Sequence, residues 1–362
     1  MSINDYEPHY KQNIAQLSRE IRNGVFAFRR LRPNFIPKTN SEKIRLISVP
    51  TVSDRIVQRA LVAFLSKKYH AKLANEISYG FVTGRSVKSA AECACKMRKL
   101  KPWIFKTDIE SFFDSISREL LVNAIRKEIK DRSLYNILLL ALNCEVDDSN
   151  QKDAKQLNKL GIKSGLGIRQ GMPLSPLFSN LLLFSFDQKL QKNGIKAIRY
   201  ADDLICFAGS ENECRDMEVF CRDEFQRLEL TIPKIALGSK SVIYSPDKPA
   251  EFLGLELALI NNNYELRLSA KQVSKIRDDL LQFGSIKELL SRKITFKTLG
   301  PLLAAKRNGY LAAYDVCSNL KEVNNNLVNI EQRVLRKIYK ELGINLNTIN
   351  NETRSFLGLR SD

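Results

Sequence analysis

The stretch that decides the fold is Ala197-Ile198-Arg199-Tyr200-Ala201-Asp202-Asp203-Leu204-Ile205-Cys206-Phe207-Ala208. Apolar, β-prone residues flank two adjacent acids, so 197–208 reads as strand, turn, strand, interrupted only by Tyr200-Ala201-Asp202-Asp203. Neighbouring carboxylates inside a buried hairpin are costly unless a cation compensates them. A turn that projects them at a divalent metal removes the cost. Asp-Asp also occurs at 147 and 278. The first lies in the polar stretch 145–160, read as a surface loop, and the second on the solvent side of an amphipathic helix. Only Asp202-Asp203 has apolar strands on both sides.

Working outward, Trp103–Thr107 reads as a strand running into Asp108, followed by Ile109-Glu110-Ser111-Phe112-Phe113-Asp114. Carboxylates from two strand ends make the hard oxygen site that Mg²⁺ prefers beside substrate phosphates. Two such ions clamp an in-line phosphoryl displacement. The plainer alternative makes Asp108 and Asp114 helix caps.

Composition narrows the partners. The 362 residues carry 58 Lys and Arg against 40 Asp and Glu, a formal net charge of +18, which points to a polyanion such as nucleic acid. Hydrophobic residues at 44% exclude wholesale disorder. The longest apolar run, Leu177–Phe186, is broken by Ser and Asn and falls short of the roughly 20 residues of a membrane span. The N-terminus has no basic start and apolar run, so no secretory leader is expected. Seven cysteines without a C-x-x-C pair, and only His9 and His70 to assist them, argue against zinc or a disulfide framework. A reducing cytoplasm fits.

The remaining periodicity is coarse. Gln12–Phe28 has helical spacing, 44–50 alternates as a strand ending at Pro50, and Ile56, Ala60, Leu61 and Phe64 share one helix face. Arg118–Ile129 reads as a helix. Ser175-Pro176 opens another to about Gln191, with Ser as N-cap and Pro at the first helical position. Beyond about 268 only helices are expected, with Ile330, Val334 and Ile338 on one stripe. Arg333, Arg336, Lys337 and Lys340 stand off that stripe, either as a solvated face or as one turned to nucleic acid.

Seven blocks in order carry a resemblance. Ile44–Gln58, Ser78–Val87, Lys106–Ser115, Ile168–Asn180, Arg199–Leu204, Ser239–Ile243 and Glu251–Leu257 resemble the motifs of bacterial reverse transcriptases related to group II intron and retron enzymes. The resemblance implies an α+β right-hand polymerase: fingers, a palm of antiparallel sheet backed by helices, and a helical thumb. Fingers and palm would fill 1–265 and the thumb 266–362. The implied activity is RNA-directed DNA synthesis, adding dNTPs to a primer 3′-hydroxyl.

The same resemblance implies roles residue by residue. Asp108, Asp202 and Asp203, with the backbone carbonyl of Ile109, would hold two Mg²⁺ ions, with Mn²⁺ as a substitute. Lys43 and Arg45 would reach the triphosphate, and Gln170 and Gly171 would line the sugar and templating base. Lys240 would meet the pyrophosphate, with Lys234 as its competitor. Phe113 would lie beneath the incoming sugar and exclude a 2′-hydroxyl, leaving Phe112 to the core. Phe81 is expected to pack rather than stack on a base, and Gly84-Arg85-Ser86 to form a turn.

No retron N-A-x-x-H element is found, and Val82-Thr83-Gly84 lies in the fingers rather than after the primer grip. Ser175-Pro176 argues against the diversity-generating branch, and too little chain follows 267 for maturase and nuclease segments. What remains resembles free-standing, defence-associated enzymes of the cytoplasm, with an RNA template or noncoding RNA, a DNA primer and product, and dNTPs as partners. No membrane is expected, and self-association stays open. The alternatives are an RNA-synthesising or untemplated polymerase on the same palm, an intron-derived reverse transcriptase, and a scaffold with a decayed site.

Overall fold

The computed structural model describes residues 6–37 and 44–359. Lys43 lies outside the described residues. Contacts divide the chain into two compact units, Met1–Ala90 with Lys101–Tyr244, and Ala91–Leu100 with Ser245–Asp362.

The first unit holds a ribbon and a sheet. The ribbon pairs β1 (Arg32–Pro37) antiparallel with β2 (Ile44–Val49), setting Ile36 opposite Arg45. The sheet contains β3 (Trp103–Asp108), β4 (Lys196–Tyr200), β5 (Asp203–Ala208) and β6 (Val242–Tyr244) in the order β4-β5-β3-β6, all antiparallel. Leu204 to Ala208 are fully buried. A central strand covered on both faces reads as a continuous apolar run rather than an alternation.

Helices Ser175–Lys192 and Glu211–Arg227 back this sheet, with the Phe186 and Phe225 rings 4.4 Å apart between them. The α+β expectation of an antiparallel sheet backed by helices is met here. The Ser175–Lys192 helix is buried nearly all round, but Leu174 is its N-cap. Ser175 lies inside the first turn, where its hydroxyl donates to the Arg169 carbonyl at 2.7 Å and is thereby taken from capping.

Local chemistry corrects three other expectations. The first long helix is Tyr10–Arg22 and stops at Gly24, whose φ of +70° ends it well before Phe28. The supposed loop 145–160 contains a helix, Gln151–Lys159, capped by the Asn150 side chain accepting from the Lys152 amide. Only Leu157 of that helix is buried, against Leu46 and Val146, in an otherwise polar segment. Phe81 is 56% exposed, with its ring 6.3 Å from that of Tyr200, rather than packed in the core.

The second unit pairs β7 (Ala250–Phe252), β8 (Leu255–Ile260) and β9 (Asn263–Leu268) in an antiparallel sheet. Buried Arg98 donates to the carbonyls of Ser245 and Lys248 at 2.9 and 2.7 Å and stacks on Tyr264. Helices follow from Ala270, and Ile330, Val334 and Ile338 are buried along Leu320–Glu341. Asp279 is not a solvated acid: it takes Lys306 at 2.7 Å and the Tyr310 hydroxyl at 2.8 Å. Among the described residues no helix is long and apolar enough to cross a membrane.

Candidate active site

The register sets Asp108 directly opposite Asp203, and Tyr200 opposite Asp203, leaving Ala201 and Asp202 as a two-residue turn. Such turns need a positive φ at a central position, where glycine is usual. Ala201 supplies it at φ +58°, a strained state for a residue with a Cβ. The Ile109 amide donates to the Asp202 carbonyl at 3.3 Å and ties the end of β3 to the turn. Three carboxylates therefore gather at one end of the sheet.

Their electrostatics are unfavourable in the protein alone. Burial pushes the Asp202 carboxyl above its ordinary range and Asp108 adds to the rise, while Lys240 and Arg45 oppose it. Burial likewise raises Asp203, opposed by Lys106 and Lys240 and reinforced by Asp202 and Asp108. Lys240 Nζ forms an ion pair with Asp108 Oδ2, and that hydrogen bond lifts the lysine pKa. Asp108 Oδ1 is buried and takes no hydrogen bond from any described residue.

A buried carboxylate oxygen without a donor is what a cation ligand looks like before the cation arrives. Among the described residues no three His, Cys, Asp or Glu side chains form a metal cage by themselves. Mg²⁺ does not need one, because it uses one or two carboxylates, substrate phosphates and water. The donor set fits a hard divalent ion. The plainer reading of Asp108 fails, since its side chain caps no helix: one oxygen meets Lys240 and the other is unpartnered.

Around this centre, Arg45 is exposed on β2. The Gln170 carbonyl accepts from the Ser48 amide at 2.6 Å, docking its loop onto the same strand. Gly171 follows at φ +106°, where a Cβ would come within 2.6 Å of the Ser48 carbonyl. Only glycine fits there. Phe112 is buried at 3%, whereas Phe113 is half-buried with its ring 5.4 Å from that of Phe112. Lys240 reaches the acid cluster, and the exposed Lys234 has no side-chain bond to it.

Residues 36–257 match the reverse transcriptase (RNA-dependent DNA polymerase) family. The chain belongs to the reverse transcriptase family. Its α+β architecture of antiparallel sheets and helices is the one the right-hand polymerase expectation required. Among curated relatives, it is 30% identical over 165 residues to protein YkfC of Escherichia coli K12, covering 44% of this chain and 40% of that one. It is 26% identical to the group II intron-encoded protein LtrA of Lactococcus lactis, covering 54% and 31%. It is 24% identical over 248 residues to the retron Ec83 reverse transcriptase of Escherichia coli, covering 66% and 71%. The chain thus spans less than half the length of YkfC and of LtrA.

Two groups near the centre of this reverse transcriptase-family chain escape a reading of the sequence. Arg199 and Asp187, 1% and 0% exposed, form a two-pronged ion pair beneath the turn, with bonds of 2.8 and 2.6 Å. Glu145 joins Arg118 at 2.8 Å to Arg169 at 2.6 Å, just before Gln170. Burial acts to raise the Glu145 pKa, but the Gly165 amide and the two guanidiniums outweigh it and hold it low. The available signal was a lone acid, Asp187, inside an apolar helix, and a lone Arg199 inside an apolar strand. Each demands a partner without saying which.

Proposed function

We propose that the chain is an RNA-directed DNA polymerase that extends a primer 3′-hydroxyl with dNTPs on an RNA template. The observation that carries this reading is the juxtaposition of Asp108 and Asp203 across β3 and β5, with Asp108 Oδ1 buried and unpartnered. Asp108, Asp202 and Asp203, with the Ile109 carbonyl, would hold divalent cations, Mg²⁺ with Mn²⁺ as a substitute. When bound, these cations activate the attacking hydroxyl and neutralise charge on the α-phosphate and leaving pyrophosphate.

The chain's own groups do the rest. Arg45, with Lys43, presents a fixed positive charge to the triphosphate. Gln170 and the Gly171 backbone orient the sugar and templating base, and Phe113 fills the space a 2′-hydroxyl would need. Lys240 Nζ, paired with Asp108 Oδ2, would give a proton to the leaving pyrophosphate oxygen. Fingers and palm over 1–265 and a thumb over 266–362 complete the proposed arrangement.

The chain is read as a cytoplasmic enzyme of antiphage defence working with an associated RNA. This extends the resemblance of its seven motif blocks to free-standing bacterial reverse transcriptases. The test uses purified full chain, Mg²⁺, labelled dNTPs or NTPs, and RNA-templated primers. Templated dNTP incorporation that vanishes with Asp202→Asn supports the reading. Incorporation of NTPs alone, or synthesis indifferent to template, replaces it with the RNA-synthesising or untemplated reading.

A further inference from the structure

The acid turn is held in place by a buried polar clamp. Arg199 Nη1 donates to the Ala201 carbonyl at 3.1 Å, one residue before Asp202. The remaining guanidinium nitrogens are committed as well: Nε and Nη2 to Asp187, Nη1 also to Asn180 Oδ1 at 3.1 Å, and Nη2 to the Ser78 hydroxyl at 3.1 Å. Asp187 is fixed in turn by the Asn75 amide at 3.0 Å. A guanidinium with every nitrogen bonded and 0% exposure has one position available to it.

Gly80 also approaches the turn closely. A Cβ on that residue would fall 2.4 Å from the Ala201 nitrogen and 2.9 Å from the Tyr200 carbonyl carbon. The Asn180 amide holds the Gly80 carbonyl at 2.9 Å, so both jaws are anchored to the same helix residue. Ala201 between them sits at φ +58°. A strained non-glycine turn persists only where its surroundings over-determine it.

We propose that Arg199 and Asp187 are positioning residues for Asp202, locking the strained Ala201 turn so that the carboxylates meet a metal without reorganising. This rests on the polymerase reading of the same site. A buried ion pair is by itself a weak source of stability, and replacing both members with apolar residues is frequently neutral. That separates a positioning role from a structural one.

The decisive variant is Arg199→Met with Asp187→Leu, tested in the full chain beside wild type and Asp202→Asn. Three readouts apply: thermal midpoint, kcat and KM for dNTP, and Mn²⁺ binding by electron paramagnetic resonance without nucleotide. The expected result is a folded protein with kcat lowered at least tenfold, KM for dNTP within twofold, and Mn²⁺ affinity lowered at least fivefold. A folded double variant with wild-type kcat and Mn²⁺ affinity overturns the proposal. Should that variant not fold, Gly80→Ala displaces the turn while leaving the ion pair intact. It is expected to give the same kcat and Mn²⁺ losses, and wild-type values in it likewise overturn the clamp. If wild type polymerises nothing, the polymerase reading fails, and the Mn²⁺ arm still decides the positioning role.

Discussion

Asp108 stands opposite Asp203 in the β3–β5 ladder, so neighbouring antiparallel strands present carboxylates to each other. Like charges directly across a ladder destabilise it. Here burial and neighbouring acids raise the pKa values of both Asp202 and Asp203. A metal site would gain from this arrangement, because a cation relieves the repulsion that Lys240, Lys106 and Arg45 only partly offset. Asp108→Asn and Asp202→Asn are each expected to lower Mg²⁺-dependent incorporation by at least about 10³-fold, roughly 4 kcal/mol of barrier. Thermal melting without metal should show no loss of stability in either variant. Activity near wild type in either one would remove its carboxylate from the chemistry.

The same repulsion has a pH signature at Asp203. Its folded-state pKa lies above the ordinary 3.8. An acid raised in this way supports the fold fully below its unfolded pKa, and that support is lost as pH rises through the folded value. Asp203→Asn should therefore raise the metal-free melting temperature at pH 7. The gain should shrink towards zero as the pH approaches 3.8. Melting curves at pH 4, 5.5 and 7 in a chelator check both sign and window, and a constant offset would point to packing instead.

How much of this centre could be read beforehand depends on how local each signal is. The Asp202 turn and Asp108 were legible because acids interrupting apolar strands break a pattern within a few residues. Gly171 was legible as part of a motif, but its close approach to Ser48 was not, since the two lie far apart in the chain. Arg199 and Asp187 show why the rest was hidden: each looks like an isolated exception in an apolar element, and only packing the helix on the sheet pairs them. Helix Gln151–Lys159 was hidden because its one buried leucine sits in a strongly polar segment that reads as a loop. Phe81 was expected to pack rather than stack on a base, and its ring is largely exposed beside Tyr200.

Glu145 offers a test at the nucleotide side. It bonds Arg118, Arg169 and the Gly165 amide, and so holds the segment that leads into Gln170. With its pKa depressed, its contribution is present above the unfolded value near 4.5 and lost as pH falls through the folded one. Glu145→Gln should cost roughly 3 kcal/mol at pH 7, the low end for a broken buried pair, because Glu145 keeps 21% exposure. The difference should fade as the pH falls from 4.5 through the folded value. The KM for dNTP should rise severalfold with a smaller change in kcat, as expected if the loop orients the nucleotide. An unchanged KM would confine this cluster to stability.

The helix Leu320–Glu341 carries a basic face in the second unit. Arg333, Arg336, Lys337 and Lys340 line one groove of about 640 Å³ with the 343–347 loop, and no acid shares it. Were this groove to follow a phosphate backbone, each contact made would release about one counterion. Lys337→Gln with Lys340→Gln should weaken RNA binding equally across sequences. The log–log salt slope should flatten by roughly one to two units. Binding titrations between 50 and 200 mM salt measure this, and an unchanged slope returns the helix to a solvated face.

The last prediction decides which polymer is made. Phe113 follows Asp108 by five residues, half-buried beside the fully packed Phe112. Phe112 anchors the short helix Phe112–Ser115 in the core, so the neighbouring ring has an exposed edge to offer a sugar. The Phe113 carbonyl accepts from the Ile168 amide at 2.7 Å, and a Cβ at Gly167 would meet that same carbonyl at 2.8 Å. The backbone beneath the ring is thus fixed against the loop leading to Gln170, and the ring cannot retreat from a 2′-hydroxyl by shifting its helix. A steric gate of this kind should favour deoxynucleotides by about 10²-fold, on the order of 3 kcal/mol. Phe113→Ala should admit ribonucleotides and leave Mg²⁺-dependent addition of deoxynucleotides within about tenfold of wild type. Comparing kcat/KM for dNTP and NTP in both proteins reads the gate directly. Equal use of ribonucleotides by wild type would sink it and move the RNA-synthesising reading to first place.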